Sequence, residues 1–260
     1  MTRLDVWLVD HALVDSRARA QALVMAGRVR VNGAPAVKAG TAVKPDAAIE
    51  LLPGPEHVGR GAIKLAGALD VLRVDPAGRV AVDVGASTGG FTETLLARGA
   101  TRVYAIDVGR AQLHERLRSD PRVVVRERVN ARSLGAEHVP EPCSLATVDV
   151  SFISVLLILP ALCGVLTPAA DVLVLVKPQF EVGRGQVGRG GIVKDPLLHL
   201  GALRQVAAGA EATGLFLRSA CASPIAGATG NREFFLHLAV RAPGLVGAER
   251  EDLLQQIVKP

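Results

Sequence analysis

Apolar positions in the first fifty residues follow a helical spacing and then an alternating one. From Arg3 to Leu13 they fall at Leu4, Trp7, Leu8 and Leu13, with Val9 beside them, close to a 3.6-residue period. Ser16 is placed to N-cap a second helix, Arg17 to Met25, which Gly27 terminates. Val29-Arg30-Val31 and Ala34 to Val37 then flank Asn32-Gly33, the strongest two-residue hairpin signal. Ile49 to Leu52 reads as a further strand. The pattern predicts a small α+β module over residues 1–52. Pro53-Gly54-Pro55 breaks regular structure and opens a linker over 53–59.

Beyond the linker the rhythm changes. A helix is predicted over Arg60 to Leu72, with Lys64 on it. Short apolar strands then alternate with helical stretches: Val80–Val84, Val103–Ile106, Val123–Val125, Leu145–Val150, Val172–Val176, Phe216–Ser219 and Phe234–Val240. Such alternation predicts a doubly wound α/β domain, placed over 60–245. Val246 to Val258 reads as an amphipathic helix within a tail, 246–260. Val150 to Leu166 is almost unbroken in apolar character, but it is shorter than a bilayer span of about 20 residues and Pro160 interrupts it. A buried crossover helix is the expectation, and no membrane association.

Composition narrows the class. With 49% apolar and 21% charged residues, a sizeable core can form. The formal net charge of +5 and pI near 9.5 favour a polyanionic partner. Nine of the arginines fall within residues 98–132, against four acids: an exposed face, or an extension of a nucleic-acid footprint. Cys143, Cys163 and Cys221 are isolated and odd in number, so neither a disulfide framework nor a zinc or other metal site is expected, and a reducing cytoplasm is the default. Asp5 and Asp10 inside the first apolar pattern exclude a signal-peptide core. Aromatic residues, at 3%, are too few for a base-stacking platform, so a nucleic-acid partner would be met through shape and phosphate.

The candidate chemistry sits at strand ends, where a doubly wound sheet binds its ligands. VAVDVGASTGGF, Val80 to Phe91, runs from a strand through a glycine turn into a helix. Its spacing is G-x-x-x-G-G, which departs from the dinucleotide fingerprint. Asp83 ends that strand, placed either to face a cationic amine or simply to cap the turn. Asp107 ends the next strand, where a ribose hydroxyl pair wants an acceptor. An amino-acid-bearing nucleoside needs an acid at both ends; S-adenosylmethionine fits, and NAD leaves Asp83 unexplained. Asp149 and Lys177 end two further strands. At the end of so apolar a strand Lys177 is expected to be partly desolvated, which would lower its pKa and suit a general base. Asp149-Val150-Ser151-Phe152 lacks the paired prolines of enzymes that methylate exocyclic amines. Gly183 to Gly191 contains a literal G-x-G-x-x-G with no helix opening after it, and reads as a mobile basic loop carrying Arg184 and Arg189, or as an inert one.

Two resemblances extend this. RLDVWLV and DSRARAQALVMAGRVRVNG resemble the S4 RNA-binding module, which implies phosphate contacts from Arg3, Arg17, Arg19, Arg28, Arg30 and Lys38, joined outside the module by Arg60, Arg184 and Arg189. GASTGGFTETLLARGA, DVSFIS, LVKPQFEVGRGQVGRGGIVKDP and GNREFFLHL together resemble the TlyA family of ribosomal RNA 2′-O-methyltransferases, related to FtsJ-type enzymes. That likeness implies a Rossmann-like seven-stranded S-adenosylmethionine methyltransferase domain, its seventh strand antiparallel, behind the S4-like module. It implies a Lys64, Asp149, Lys177, Glu233 set: Lys177 would deprotonate the ribose hydroxyl, Lys64 add positive charge, and Asp149 and Glu233 orient them. The cofactor would lie on Asp83, Gly85, Ala86, Ser87, Thr88, Gly89, Gly90, Phe91, Asp107, Asn130 and Asp149. The implied partner is ribosomal RNA or a ribosomal subunit, methylated on a cytidine by a monomer. His57-Val58-Gly59 departs from the family's usual linker, which puts coupling between RNA docking and cofactor binding in question. The rival classes are a haemolysin-like membrane-active protein and a catalytically silent ribosome assembly factor.

Overall fold

The structure, a computed structural model, describes residues 2–14, 16–25, 27–36, 38–52, 57–240 and 243–259, with the side chains of Ala22 and Arg184 left out. It divides into two compact units, residues 1–56 and 57–260.

In the first unit a two-residue strand, β1 (Thr2–Arg3), leads into α1 (Leu4–Asp10); then follow α2 (Arg17–Met25), β2 (Val29–Val31), β3 (Ala34–Pro35), β4 (Ala42–Val43) and β5 (Ile49–Leu51). The first helix is shorter than its apolar spacing predicts. Its expected opening residue, Arg3, pairs as a strand with Ala42, and the helix stops at His11, whose N–H reaches back to Trp7. Ser16 does cap α2, accepting from the Arg19 N–H at 3.3 Å. Asn32 and Gly33 both take positive φ, 52° and 80°, the combination a tight hairpin turn requires, and β2 pairs antiparallel with β3 and β5. Val37, expected at the end of β3, and the linker residues 53–56 lie outside the described residues. Leu4, Leu8, Ala20, Val24, Val29 and Val43 form the buried centre of this unit.

The second unit is a seven-stranded sheet wrapped by helices. In chain order its elements are α3 (Gly61–Leu72), β6 (Val80–Val84), α4 (Gly90–Ala97), β7 (Arg102–Asp107), α5 (Glu115–Arg118), β8 (Val123–Glu127), β9 (Cys143–Val148), α6 (Leu159–Cys163), β10 (Leu166–Val176), α7 (Pro178–Glu181), α8 (Pro196–Glu211), β11 (Leu215–Ala222), β12 (Phe234–Val240) and α9 (Gly247–Val258). The strand order is β11-β12-β10-β9-β6-β7-β8. The pairs from β10 to β8 are parallel, and β12 runs antiparallel to both its neighbours. The order therefore reverses at β6, which lies between β7 and β9, and a crevice opens at such a point.

The strands are apolar on both faces, as a covered sheet demands. Val82, Val84, Ala146, Val148, Val172, Val174, Val176, Phe234 and Leu236 point to one side. Ala81, Leu145, Leu173, Leu175 and Phe235 point to the other, beneath α3 and α4. Alternation sends Asp83, Thr147, Asp149, Lys177 and Glu233 to this second side. All the strand-end chemistry thus shares the α3–α4 face.

The crossover helix expected over Val150–Leu166 does not form as one element. β9 stops at Val148, Phe152 adopts φ 67°, and a 3₁₀ turn over Val155–Leu157 precedes the five-residue α6. Pro160 sits in the first turn of α6, where its missing N–H costs nothing, and Leu166 already belongs to β10. The apolar run carries no single helical period: Val155, Ile158, Leu159, Leu162 and Val165 are buried, Phe152 and Leu157 exposed.

Candidate active site

A cavity of about 520 Å³ opens over the ends of β6, β7, β8 and β9, within the usual range for small-molecule sites of roughly 300–1,000 Å³. Val84, Val108, Val129, Ile153 and Ile158 supply apolar walls, and Gly85, Ser87, Asp107, Asn130, Asp149 and Ser151 supply polar atoms. The Asp107 carboxylate accepts from the Ser87 N–H at 2.8 Å and the Gly109 N–H at 2.7 Å, which fixes its plane and leaves lone pairs for a hydroxyl pair. A nucleoside with a charged tail fits this donor and acceptor set.

Six of the expected cofactor residues fall outside the lining. Asp83 is fully buried; its oxygens accept from Thr92 Oγ1 at 2.7 Å and Thr147 Oγ1 at 2.8 Å. Burial pushes its carboxyl up to about 6, with the charge of Asp149 adding to the effect. Through these bonds it stitches β6 to α4 and β9. Ala86, Gly89, Gly90 and Phe91 are buried beside it, Phe91 with its ring 5.9 Å from that of Phe235. Thr88 is exposed and offers its carbonyl to the His114 N–H at 3.1 Å. The glycines serve close internal approach as much as a ligand: at Gly85, where φ is 87°, an added Cβ would collide with the Asp149 carbonyl oxygen.

The candidate catalytic set forms two ion pairs on the same face. Lys177 Nζ, just past β10, lies 2.6 Å from Asp149 Oδ1, off hydrogen-bond alignment, and donates to Ser151 Oγ at 2.8 Å. Lys64 Nζ donates to Glu233 Oε2 at 2.5 Å. The antiparallel register ends with Val176 opposite Phe234; continued by one residue, it sets Lys177 across from Glu233. Lys64, Lys177 and Glu233 are each more than nine-tenths buried. A lone lysine on a helix ordinarily snorkels at the surface, whereas Lys64 on α3 is buried against Glu233. Asp149 and Ser151 belong at once to the cavity wall and to the Lys177 pair, so the two meet along one loop.

Ser151, Phe152 and Glu181 had no assigned role from sequence. Phe152 lines the cavity, 91% exposed as a residue, its ring 5.2 Å from that of Phe180. Its place after a strand-end acid was the available signal. Glu181 ends α7, buried, and accepts from Ser154 Oγ at 2.6 Å and the Val155 N–H at 2.9 Å.

The expected RNA contacts divide. In the first unit Arg3 and Arg17 both reach the buried Asp5 carboxylate, at 3.0 and 3.3 Å, and Arg28 donates to the Leu52 carbonyl at 2.8 Å. Arg3, Arg17 and Arg28 are thus partly occupied in holding the fold; Arg19, Arg30 and Lys38 are exposed. In the second unit Arg60 donates to the Ala226 carbonyl at 2.8 Å, and Arg189 is exposed in a short turn. The Arg184 side chain lies outside the described residues. The Glu93 carboxylate accepts from the Val58 N–H at 2.8 Å and lies 3.6 Å from His57 Nδ1.

Comparison with known proteins bears on all of this. Residues 57–240 match the FtsJ-like methyltransferase family model and residues 2–49 the S4 domain model. A Mycobacterium tuberculosis protein named 16S/23S rRNA (cytidine-2′-O)-methyltransferase TlyA is 48% identical over 98% of this chain and 97% of its own length. Hemolysin A of Brachyspira hyodysenteriae is 36% identical over 92% of this chain and 100% of its own. A solved Streptococcus thermophilus structure that carries a hemolysin label superposes with TM-score 0.74 at 39% identity, covering 98% of this chain and 94% of that one. Among the described residues no helix is long and apolar enough to cross a membrane.

Proposed function

The chain belongs to the FtsJ-like methyltransferase family, in its S4-bearing TlyA branch, and from that premise we propose that it methylates the 2′-oxygen of a cytidine in ribosomal RNA, in the cytoplasm, using S-adenosylmethionine. The observation that carries this reading is the Lys177–Asp149–Ser151 cluster on the cavity wall, with the Lys64–Glu233 pair beside it on the same sheet face.

Asp107, Asn130, Gly85, Ser87 and Asp149, which line the cavity, would hold the cofactor. When bound, the cofactor supplies a methyl group on a positively charged sulfur. The hydrogen bond of Lys177 Nζ to Ser151 Oγ and its 2.6 Å approach to the Asp149 carboxylate hold the amine in place, and its lone pair, once free of a proton, would take the hydroxyl proton. Lys177 would hold the proton released by the ribose 2′-hydroxyl as that oxygen becomes the acceptor of the methyl group. Lys64 places a second positive charge near the oxygen as it becomes negative, and Glu233 keeps that lysine in place. Phe152 offers its exposed ring face to the target base. Arg19, Arg30 and Lys38 of the first unit, and the rim of the cavity, meet phosphates, which gives affinity and register.

Lys177→Ala is the direct test. Isothermal calorimetry should show S-adenosylmethionine bound within a few-fold of the parent, while tritium-methyl incorporation into ribosomal RNA falls by at least about a hundredfold, the lower range for removing an acid–base group. Undiminished incorporation would refute Lys177 as the base.

A further inference from the structure

We propose that Glu181 is a positioning residue for methyl transfer, tying the loop that carries Asp149, Ser151 and Phe152 to the segment that carries Lys177. The inference rests on the reading of Lys177 given above.

Glu181 follows Lys177 by four residues on α7, yet both its oxygens are used by a different strand's loop. One accepts from Ser154 Oγ at 2.6 Å and the other from the Val155 N–H at 2.9 Å. The carboxylate is buried, and burial pushes its carboxyl up, so the fold keeps a group there that is costly to desolvate. At its other end the loop is fixed by the Asp149 N–H, which donates to the Val84 carbonyl at 2.9 Å. Between these anchors Phe152 has φ 67°, a conformation that a bulky residue keeps only where its surroundings over-determine it. Phe152 is almost wholly exposed and can supply little of that restraint. The anchors must supply it. Lys177 in turn reaches back to Asp149 and Ser151 on this same loop. Without Glu181 the loop is free to relax at its downstream end, and the contacts that aim the Lys177 amine relax with it. Glu181 is absent from the cavity lining, so it acts through the loop and not on the substrate.

The test uses the full-length protein and five variants: Glu181→Ala, Glu181→Gln, Ser154→Ala, Ser151→Ala and the Glu181→Ala/Ser151→Ala double. Methyl transfer to ribosomal RNA gives kcat and KM; calorimetry gives S-adenosylmethionine affinity; thermal melts report folding. Glu181→Ala should lower kcat about ten- to a hundredfold, the scale of a misplacement near 1 Å, with KM for RNA within about threefold. Glutamine can still accept from the Val155 N–H and donate to Ser154, so Glu181→Gln should recover kcat to within about threefold. Ser154→Ala should fall between. The double variant should be no slower than its worse parent, because both changes release the same contact. A Glu181→Ala kcat within twofold of the parent overturns the inference, as does a double variant whose losses multiply. If Glu181→Ala does not fold, Ser154→Ala decides: an unchanged kcat there also overturns it. Retained transfer by Lys177→Ala sinks the reading of the base and this inference together, whereas an inactive Lys177→Ala beside a fully active Glu181→Ala removes the inference alone.

Discussion

Asp83 and Asp5 are both fully buried carboxylates, and their partners send them in opposite directions. Asp5 is covered by the side chains of Arg3, Gln21 and Arg17, whose hydrogen bonds hold its carboxyl well below the usual carboxylate range. Asp83 has only hydroxyl and backbone donors from Thr92 and Thr147, and burial raises it to about 6. The sign follows from linkage. A carboxyl raised above its unfolded value near 4 contributes stability that is fully present below pH 4 and is lost as pH rises through about 6. A shift of about two pKa units corresponds to an upper figure of about 3 kcal/mol. Asparagine in its place cannot ionise, and the threonine hydroxyls can rotate to meet its amide. Asp83→Asn should therefore gain stability relative to the parent between pH 4 and pH 8, by up to about 3 kcal/mol. Denaturant titrations of both proteins at the two pH values would check it, and a difference that stays constant across them would remove the argument.

At the level of elements, the strand-to-helix turn after β6 concentrates the most constraint. Gly85 needs both a left-handed φ and an open side toward the Asp149 carbonyl. An alanine there would meet strain of roughly 1–2 kcal/mol from the backbone alone, and the collision would displace Asp149, hence the contact to Lys177. Gly85→Ala should lower the thermal midpoint and cut methyl transfer by a larger factor than the lost stability explains at a temperature where the variant is still folded. Normal activity in a destabilised variant would show that the approach of Asp149 to this turn does not matter for catalysis. The sequence made this turn legible because a strand, three glycines and a helix follow one another within a dozen residues. The hairpin at Asn32-Gly33 and the antiparallel pairing of β12 were legible for similar reasons, one local, the other carried by the resemblance. The loop after β9 was not. Val155, Ile158, Leu159, Leu162 and Val165 of this stretch are buried while Phe152 and Leu157 are exposed, and apolar character without a period leaves helix and irregular chain indistinguishable. The burial of Lys64 and the role of Glu181 were hidden for another reason: each depends on a partner far along the chain, Glu233 and Ser154, and no local pattern announces such a pair.

Over the whole molecule the same distinction between local charge and tertiary pairing decides where a polyanion can be felt. The formal charge of +5 says little about place, and neither do the nine arginines of residues 98–132. In the structure Arg98 pairs with Asp70, Arg102 with Glu141, Arg116 with Glu93, Arg118 with Glu127 and Arg122 with Asp120, while Arg126 donates to the His138 carbonyl. Besides Arg126, three have no carboxylate partner among the described residues: Arg110, Arg128 and Arg132. All three are exposed on the loops that follow β7 and β8. Arg132 lines the cavity, and the Arg128 N–H to the Gly109 carbonyl, at 3.1 Å, joins the two loops. A guanidinium already paired keeps most of its counter-charge when RNA arrives and releases few ions; an unpaired one exchanges small cations for phosphate. Each of Arg110→Ala, Arg128→Ala and Arg132→Ala should then weaken binding to a ribosomal RNA fragment and lower the slope of log Kd against log salt by about 0.7–0.9. Arg98→Ala and Arg102→Ala should leave that slope unchanged. Fluorescence anisotropy between about 50 and 200 mM salt separates the two groups. If all five variants shift the slope equally, charge in this region acts as a diffuse field, and the cavity rim has no special claim on the RNA.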